Sequence, residues 1–129
     1  MTVLLGCLLV VALIPYALAM LGGICRRRQL GSFDNHYPRA QYAEITGLGA
    51  RLWAAQQNAW EALILFTAAI AAALLAGVQG AVAEGAALLF VAARLLHALC
   101  YAADWATARS LVFIVGFLAA MALFALALS

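Results

Sequence analysis

Apolar residues fill this chain in four long runs, and polar positions fall between the runs or at regular spacing within them. Met1 to Ile24 carries no charge. A second run, from about Leu48 to Val78, holds Arg51 and Glu61 in its first half. A third, from about Ala81 to Ala103, is interrupted by Glu84, Arg94 and His97, and the last, Ser110 to Ser129, is again charge-free. A bilayer crossing needs about 20 mostly apolar residues. Each run therefore predicts one membrane-spanning helix, over approximately residues 1–25, 48–78, 81–104 and 109–129. Gly77-Val78-Gln79-Gly80 reads as a tight turn between the second and third spans, and Asp104 to Arg109 as the link to the fourth. The expected fold is an all-α integral membrane protein, a four-transmembrane-helix bundle in which residues 1–129 form one domain.

Composition sharpens this reading. The chain is 69% hydrophobic and 9% charged, with a mean hydropathy of +1.08. That excludes a water-soluble enzyme, which could not hide so much apolar surface at this size, and it excludes disorder. The net charge of +2 is too small for a nucleic-acid partner. Cys7, Cys25 and Cys100 lie in or beside apolar stretches and read as buried thiols. His36 and His97 lie far apart with no further ligand pattern, so no metal site is expected. Ala17-Leu18-Ala19 resembles a signal cleavage site, yet no positive residue precedes the apolar run, so an uncleaved span is expected. Arg26, Arg27, Arg28 and Arg39 fall in the loop between the first two spans. The positive-inside rule places that loop in the cytoplasm and both termini on the opposite side. Pro15 is expected to bend the first helix.

Polar residues inside the spans carry the chemical information, because a charge at mid-span costs about 2.5–3.5 kcal/mol. In the second helix Arg51, Asn58 and Glu61 fall within an arc of roughly 80°. Gln57 flanks that face, while Trp53 and Trp60 point toward the other side. In the third helix Arg94, His97, Tyr101 and Asp104 form one stripe over three turns, and Arg109 and Ser110 open the fourth helix at the same end. Two such stripes can bind helix to helix, at about 0.6–2 kcal/mol per pair, or they can line a hydrophilic pocket. Spacing alone leaves both open.

The string Arg51-Leu-Trp-Ala-Ala-Gln-Gln-Asn58-Ala-Trp-Glu61 resembles a signature of the membrane-associated proteins in eicosanoid and glutathione metabolism, the MAPEG family. Arg94-Leu-Leu-His97-Ala-Leu-Cys-Tyr101-Ala-Ala-Asp104, followed by Arg109-Ser110, looks like that family's second signature. The short, alanine-rich chain is similar to a bacterial member, which implies the bacterial inner membrane. The resemblance implies a homotrimer in contact with membrane lipids, with glutathione as co-substrate between neighbouring subunits near the cytoplasmic end. Asn58 and Glu61 would then hold the glutathione amide and amino groups. Arg94, His97 and Tyr101 would line the same pocket, and Arg109 with Ser110 would face the thiol. Arg51, and Arg26 or one of its neighbours Arg27 and Arg28, would supply cations for the carboxylates. The implied activity is a glutathione-dependent transferase or peroxidase acting on a lipophilic small molecule. The family also holds a non-catalytic, lipid-binding member. This chain has Ala54 and Gln57 where enzymatic members carry arginines, so a lipid-binding or scaffolding role is the alternative expectation.

Overall fold

The computed structural model describes residues 1–129. It contains α1 (Thr2–Leu30), a short 3-10 turn (Ala40–Ala43), α2 (Gly47–Leu75), α3 (Ala81–Ala103) and α4 (Ala106–Leu128), with no strands. All four α-helices are long and apolar enough to cross a membrane. α1 packs chiefly on α2 and α3 chiefly on α4, while α2 also touches α3 and α4.

The helix ends differ from the hydropathy reading for physical reasons. α1 continues five residues past its expected end at residue 25, because arginine and glutamine are good helix formers and cations suit a helix C-terminus. It stops where Gly31 takes the left-handed conformation, φ 72°, and donates to the Arg27 carbonyl. α2 stops at Leu75 rather than near residue 78. Gly77 turns left-handed, and the Gly77 and Val78 N–H groups close back on the Leu74 and Ala73 carbonyls. α4 begins at Ala106, three residues earlier than expected, so the link from α3 is only Asp104 and Trp105. Pro15 sits within α1 on its buried face.

Lipid is as apolar as leucine, so helix association here depends on close packing. Small residues supply it: Ala55, Ala59, Ala69, Ala73, Ala83, Ala87, Ala93, Ala119 and Ala120 are all buried. Gly116 on α4 faces Ala93 so closely that a β-carbon there would lie 3.4 Å from the Ala93 β-carbon. Phe66 and Phe90 fill the centre between α2 and α3, with ring centroids 4.1 Å apart and planes 3° from parallel. Leu4 and Val11 of α1 and Leu123 of α4 complete this cluster, at the end of the bundle remote from Arg26–Arg28.

The segment between α1 and α2 is mostly exposed and is held by its own hydrogen bonds. Asp34 Oδ1 accepts from the His36 and Tyr37 N–H groups at 2.7 and 3.0 Å. Buried Gln41 accepts from the Asp34 N–H and donates to the Ser32 carbonyl. Gln29 exchanges two bonds with the Thr46 backbone. The loop thus folds into a cap over the arginine-bearing end of α1.

Truncating Phe66 to alanine should destabilise the bundle by about 2 kcal/mol from its cavity term alone, with no transfer term because lipid replaces water as the reference. Equilibrium unfolding in mixed micelles measures this, and a cost below that of an exposed Ile64→Ala control would contradict the packing assigned to Phe66.

Candidate functional site

α2 and α3 bring their polar stripes together. Arg94 is buried, and its Nη2 donates to Asn58 Oδ1 at 2.5 Å and to the Asn58 main-chain carbonyl at 3.5 Å. The same nitrogen lies 3.2 Å from His97 Nδ1. A guanidinium only donates, so Nδ1 accepts and the ring proton of His97 lies on Nε2. Asn58, with its oxygen fixed by Arg94, turns its amide nitrogen to Glu61 Oε2 at 3.3 Å. The chain of contacts His97–Arg94–Asn58–Glu61 therefore runs from the inside of the bundle to its surface, where Glu61 is exposed.

Glu61 has no cation within ion-pair distance; the one salt bridge in the chain joins Arg51 Nη1 to Asp104 Oδ2 at 3.6 Å. Arg51 Nη2 also donates to the Ala102 carbonyl at 3.3 Å. Arg51 and Asp104, the outer members of the two stripes, thus pair with each other.

Arg109 also has no counter-ion within ion-pair distance. Its guanidinium lies over the Tyr101 ring, 4.5 Å from the centroid, and half-buried. Tyr101 in turn stands edge-on to His97 at 5.2 Å. Asn58, His97, Tyr101, Arg109, Ser110, Phe113 and Ile114 enclose an open cleft of about 330 Å³. A second hollow of about 220 Å³ shares Asn58 and Phe113 with it and continues along Glu61, Leu65, Phe90 and Phe117. Ser110 Oγ donates to the Ala106 carbonyl at 3.2 Å, which holds its proton along α4. The two hollows are thus adjacent, one bearing the Arg109 cation and the other the Glu61 carboxylate, with Phe113 common to both.

Arg26 lies elsewhere. It is buried, donates to the Pro38 carbonyl at 2.8 Å, and sits between the Phe33 and Tyr42 rings at 4.3 and 4.6 Å. Its Nε is buried without an acceptor, as is that of Arg51. Arg26, Arg39, Tyr42, Trp53, Gln56, Gln57 and Trp60 line a cleft of about 560 Å³ on the opposite face of α2. Arg27 and Arg28 are exposed. The structure therefore brings Asn58, Glu61, Arg94, His97, Tyr101, Arg109 and Ser110 together and leaves Arg26 apart from them within one chain. Gln56 is a lining residue that lies outside both polar stripes. Its signal was available, since it shares the face of Trp53 and Trp60 by helical angle.

The sequence profile of the MAPEG family matches residues 3–129. No curated protein and no solved structure matches the chain. The chain belongs to the MAPEG family, whose members are membrane four-helix bundles and include glutathione-dependent transferases and peroxidases. It is an integral membrane protein.

A double-mutant cycle between Asn58→Ala and Arg94→Met should give a coupling of about 0.6–2 kcal/mol in unfolding free energy. Glu61→Leu, at an exposed position, should cost less than Asn58→Leu. Equal costs would make Glu61 part of the helix seam.

Proposed function

We propose that the protein is a membrane-bound, glutathione-dependent transferase or peroxidase acting on lipophilic electrophiles or lipid hydroperoxides. The observation that carries this is Arg109, a cation with no counter-ion, poised over Tyr101 in a hollow that adjoins the one lined by the equally unpaired Glu61. Two charges of opposite sign left unpaired on neighbouring helices suit a ligand that carries the complementary pair. A peptide with a free amino group and an ionisable thiol supplies both: an ammonium for Glu61 and a thiolate for Arg109.

The energetics are adequate. The reference pKa of a cysteine thiol is near 8.5, so only a few per cent of glutathione is thiolate at neutral pH. Lowering that value by about two units needs roughly 2.7 kcal/mol of preferential thiolate stabilisation. One charge-assisted hydrogen bond contributes about 1.5–3 kcal/mol. Arg109 is therefore the leading donor, and Ser110 assists only by turning its hydroxyl away from the Ala106 carbonyl. In conjugation the thiolate sulfur forms a bond to the electrophilic carbon and the leaving group departs with the electron pair. In peroxide reduction two glutathiones supply two electrons and two protons, giving an alcohol, water and the disulfide. The bilayer delivers the second substrate laterally along the apolar walls of Phe90, Phe113 and Phe117.

Arg26 supports a site shared between copies. Its cleft faces away from Asn58 and Glu61, so its cation reaches a glutathione carboxylate only from a neighbouring subunit. The family is generally trimeric, which fits this arrangement. Burial singles out Arg26 among the three adjacent arginines and offers a substitute for the cations missing at Ala54 and Gln57. The loop end, with Arg26 to Arg28 and Arg39, would face the cytoplasm of a bacterial inner membrane.

Millimolar glutathione should raise the melting temperature of the detergent-solubilised protein and leave Glu61→Gln unshifted, because ligand at about 100 times its dissociation constant contributes about 2.7 kcal/mol. No shift in the unaltered protein would favour the non-catalytic lipid-binding alternative, with Ala54 as its reason. Arg109→Ala should keep the fold and the glutathione shift but lower turnover at least about tenfold, about 1.4 kcal/mol in the barrier. Unchanged kinetics would remove Arg109 from the mechanism.

A further inference from the structure

α3 ends in a pair of nested hydrogen bonds, from the Asp104 N–H to the Tyr101 carbonyl at 3.2 Å and from the Trp105 N–H to the Cys100 carbonyl at 2.9 Å. The same two bonds close α2, where the left-handed position between them is Gly77. At the end of α3 that position is Asp104, with φ 61° and ψ 34°, the one non-glycine residue of the chain with positive φ. Glycine fills such a position without strain, whereas a side chain there crowds its own backbone.

Arg51 meets this turn from α2. One guanidinium nitrogen lies 3.6 Å from the Asp104 carboxylate and the other donates to the Ala102 carbonyl at 3.3 Å. Ala102 contributes one of the final carbonyls that a helix leaves unpaired, and a cation beside them suits the negative end of the helix dipole. The contact therefore offsets both the left-handed aspartate and the unpaired carbonyl. Its consequence lies in α4. Only Asp104 and Trp105 separate α3 from α4, and Arg109 sits in the first turn of α4, its N–H bonded to the Trp105 carbonyl at 2.9 Å. The backbone of those two residues therefore fixes how α4 is rotated about its axis, and with it the placement of Arg109 over Tyr101.

We propose that Arg51 is a positioning residue: its clamp on Asp104 and Ala102 sets the α3–α4 turn and so aims Arg109 at the reacting sulfur. The proposal rests on the reading of Arg109 as thiolate partner. It assigns Arg51 a task other than gripping a glutathione carboxylate.

The experiment compares Arg51→Ala, Arg51→Lys, Asp104→Asn and the double variant Arg51→Ala/Asp104→Gly, each purified in detergent. Amide hydrogen exchange at Asp104 and Trp105 should quicken about tenfold in Arg51→Ala and in Asp104→Asn and stay near its original rate in Arg51→Lys. The two perturbed variants should share one kinetic defect, a turnover about tenfold lower with glutathione affinity unchanged and the pH midpoint of thiolate formation raised. In the double variant glycine takes the left-handed turn unaided, so turnover and midpoint should return toward the original values. A ligand-gripping Arg51 gives the opposite pattern: Arg51→Ala weakens glutathione binding, Asp104→Asn tightens it by freeing the guanidinium, and glycine at position 104 rescues nothing. That pattern, or unchanged exchange at the turn, overturns the proposal. If the unaltered protein binds no glutathione, the functional reading fails by itself, and the exchange rates still decide whether Arg51 clamps the turn.

Discussion

A guanidinium buried among apolar helices must find acceptors inside the protein, and Arg94 meets that demand by fastening α3 to α2. Its two principal acceptors are Asn58 Oδ1 on α2 and His97 Nδ1 one turn along α3. Three features of the cleft follow from those bonds. The register of α2 against α3 is fixed at the level of Asn58. The Asn58 amide is oriented so that its nitrogen faces Glu61. The tautomer of His97 is set, with its proton on the nitrogen away from Arg94. Replacing Arg94 by an apolar residue would therefore disturb the seam and the cleft together, which is why glue and pocket are not competing descriptions of these residues.

The division of charges follows the same logic. Of the four charges in the stripes of α2 and α3, Arg94 is engaged by Asn58 and His97, and Arg51 pairs with Asp104. Glu61 is left over, and α4 adds Arg109, held only by the face of an aromatic ring. Interhelical glue would be expected to neutralise both, since an unpaired charge in a span is expensive. The two unpaired groups line adjacent hollows that share Asn58 and Phe113, and this separation of engaged from unengaged charge supports the proposed reading of a binding site over a packing seam alone.

Much of the architecture was legible in the sequence, because the bilayer imposes a length on each apolar run and helical periodicity assigns each polar residue to a face. The four spans, the Gly77–Gly80 turn and the facing stripes follow from those two rules. Helix ends were less legible, since hydropathy falls at Arg26 while helix propensity does not. Partner choice was hidden for a different reason. Spacing puts Arg51, Asn58 and Glu61 on one face but does not say that Arg51 reaches Asp104 while Arg94 takes Asn58; that depends on the crossing of α2 and α3. The burial of Arg26 was hidden too, because it requires the loop of Phe33, Pro38 and Tyr42 to fold back over α1, and hydrogen bonds between residues up to 17 apart in sequence build that loop.

α2 borders two clefts. Gln56 and Trp53 of α2 line one cleft together with buried Arg26 of α1, and Asn58 and Glu61 line the other. A helix cannot turn both faces to one ligand, so within a single subunit the cationic cleft and the Glu61–Arg109 cleft never meet. Neither holds all the charges that the proposed ligand needs: Glu61 and Arg109 leave the glutathione carboxylates without a cation, and Arg26 lies in the other cleft. If the proposed shared site holds, a heterologous contact sets one face of α2 in each subunit against the other face of its neighbour, and a closed ring leaves no cleft unmatched. The proposed site then belongs to the assembly rather than to the single chain.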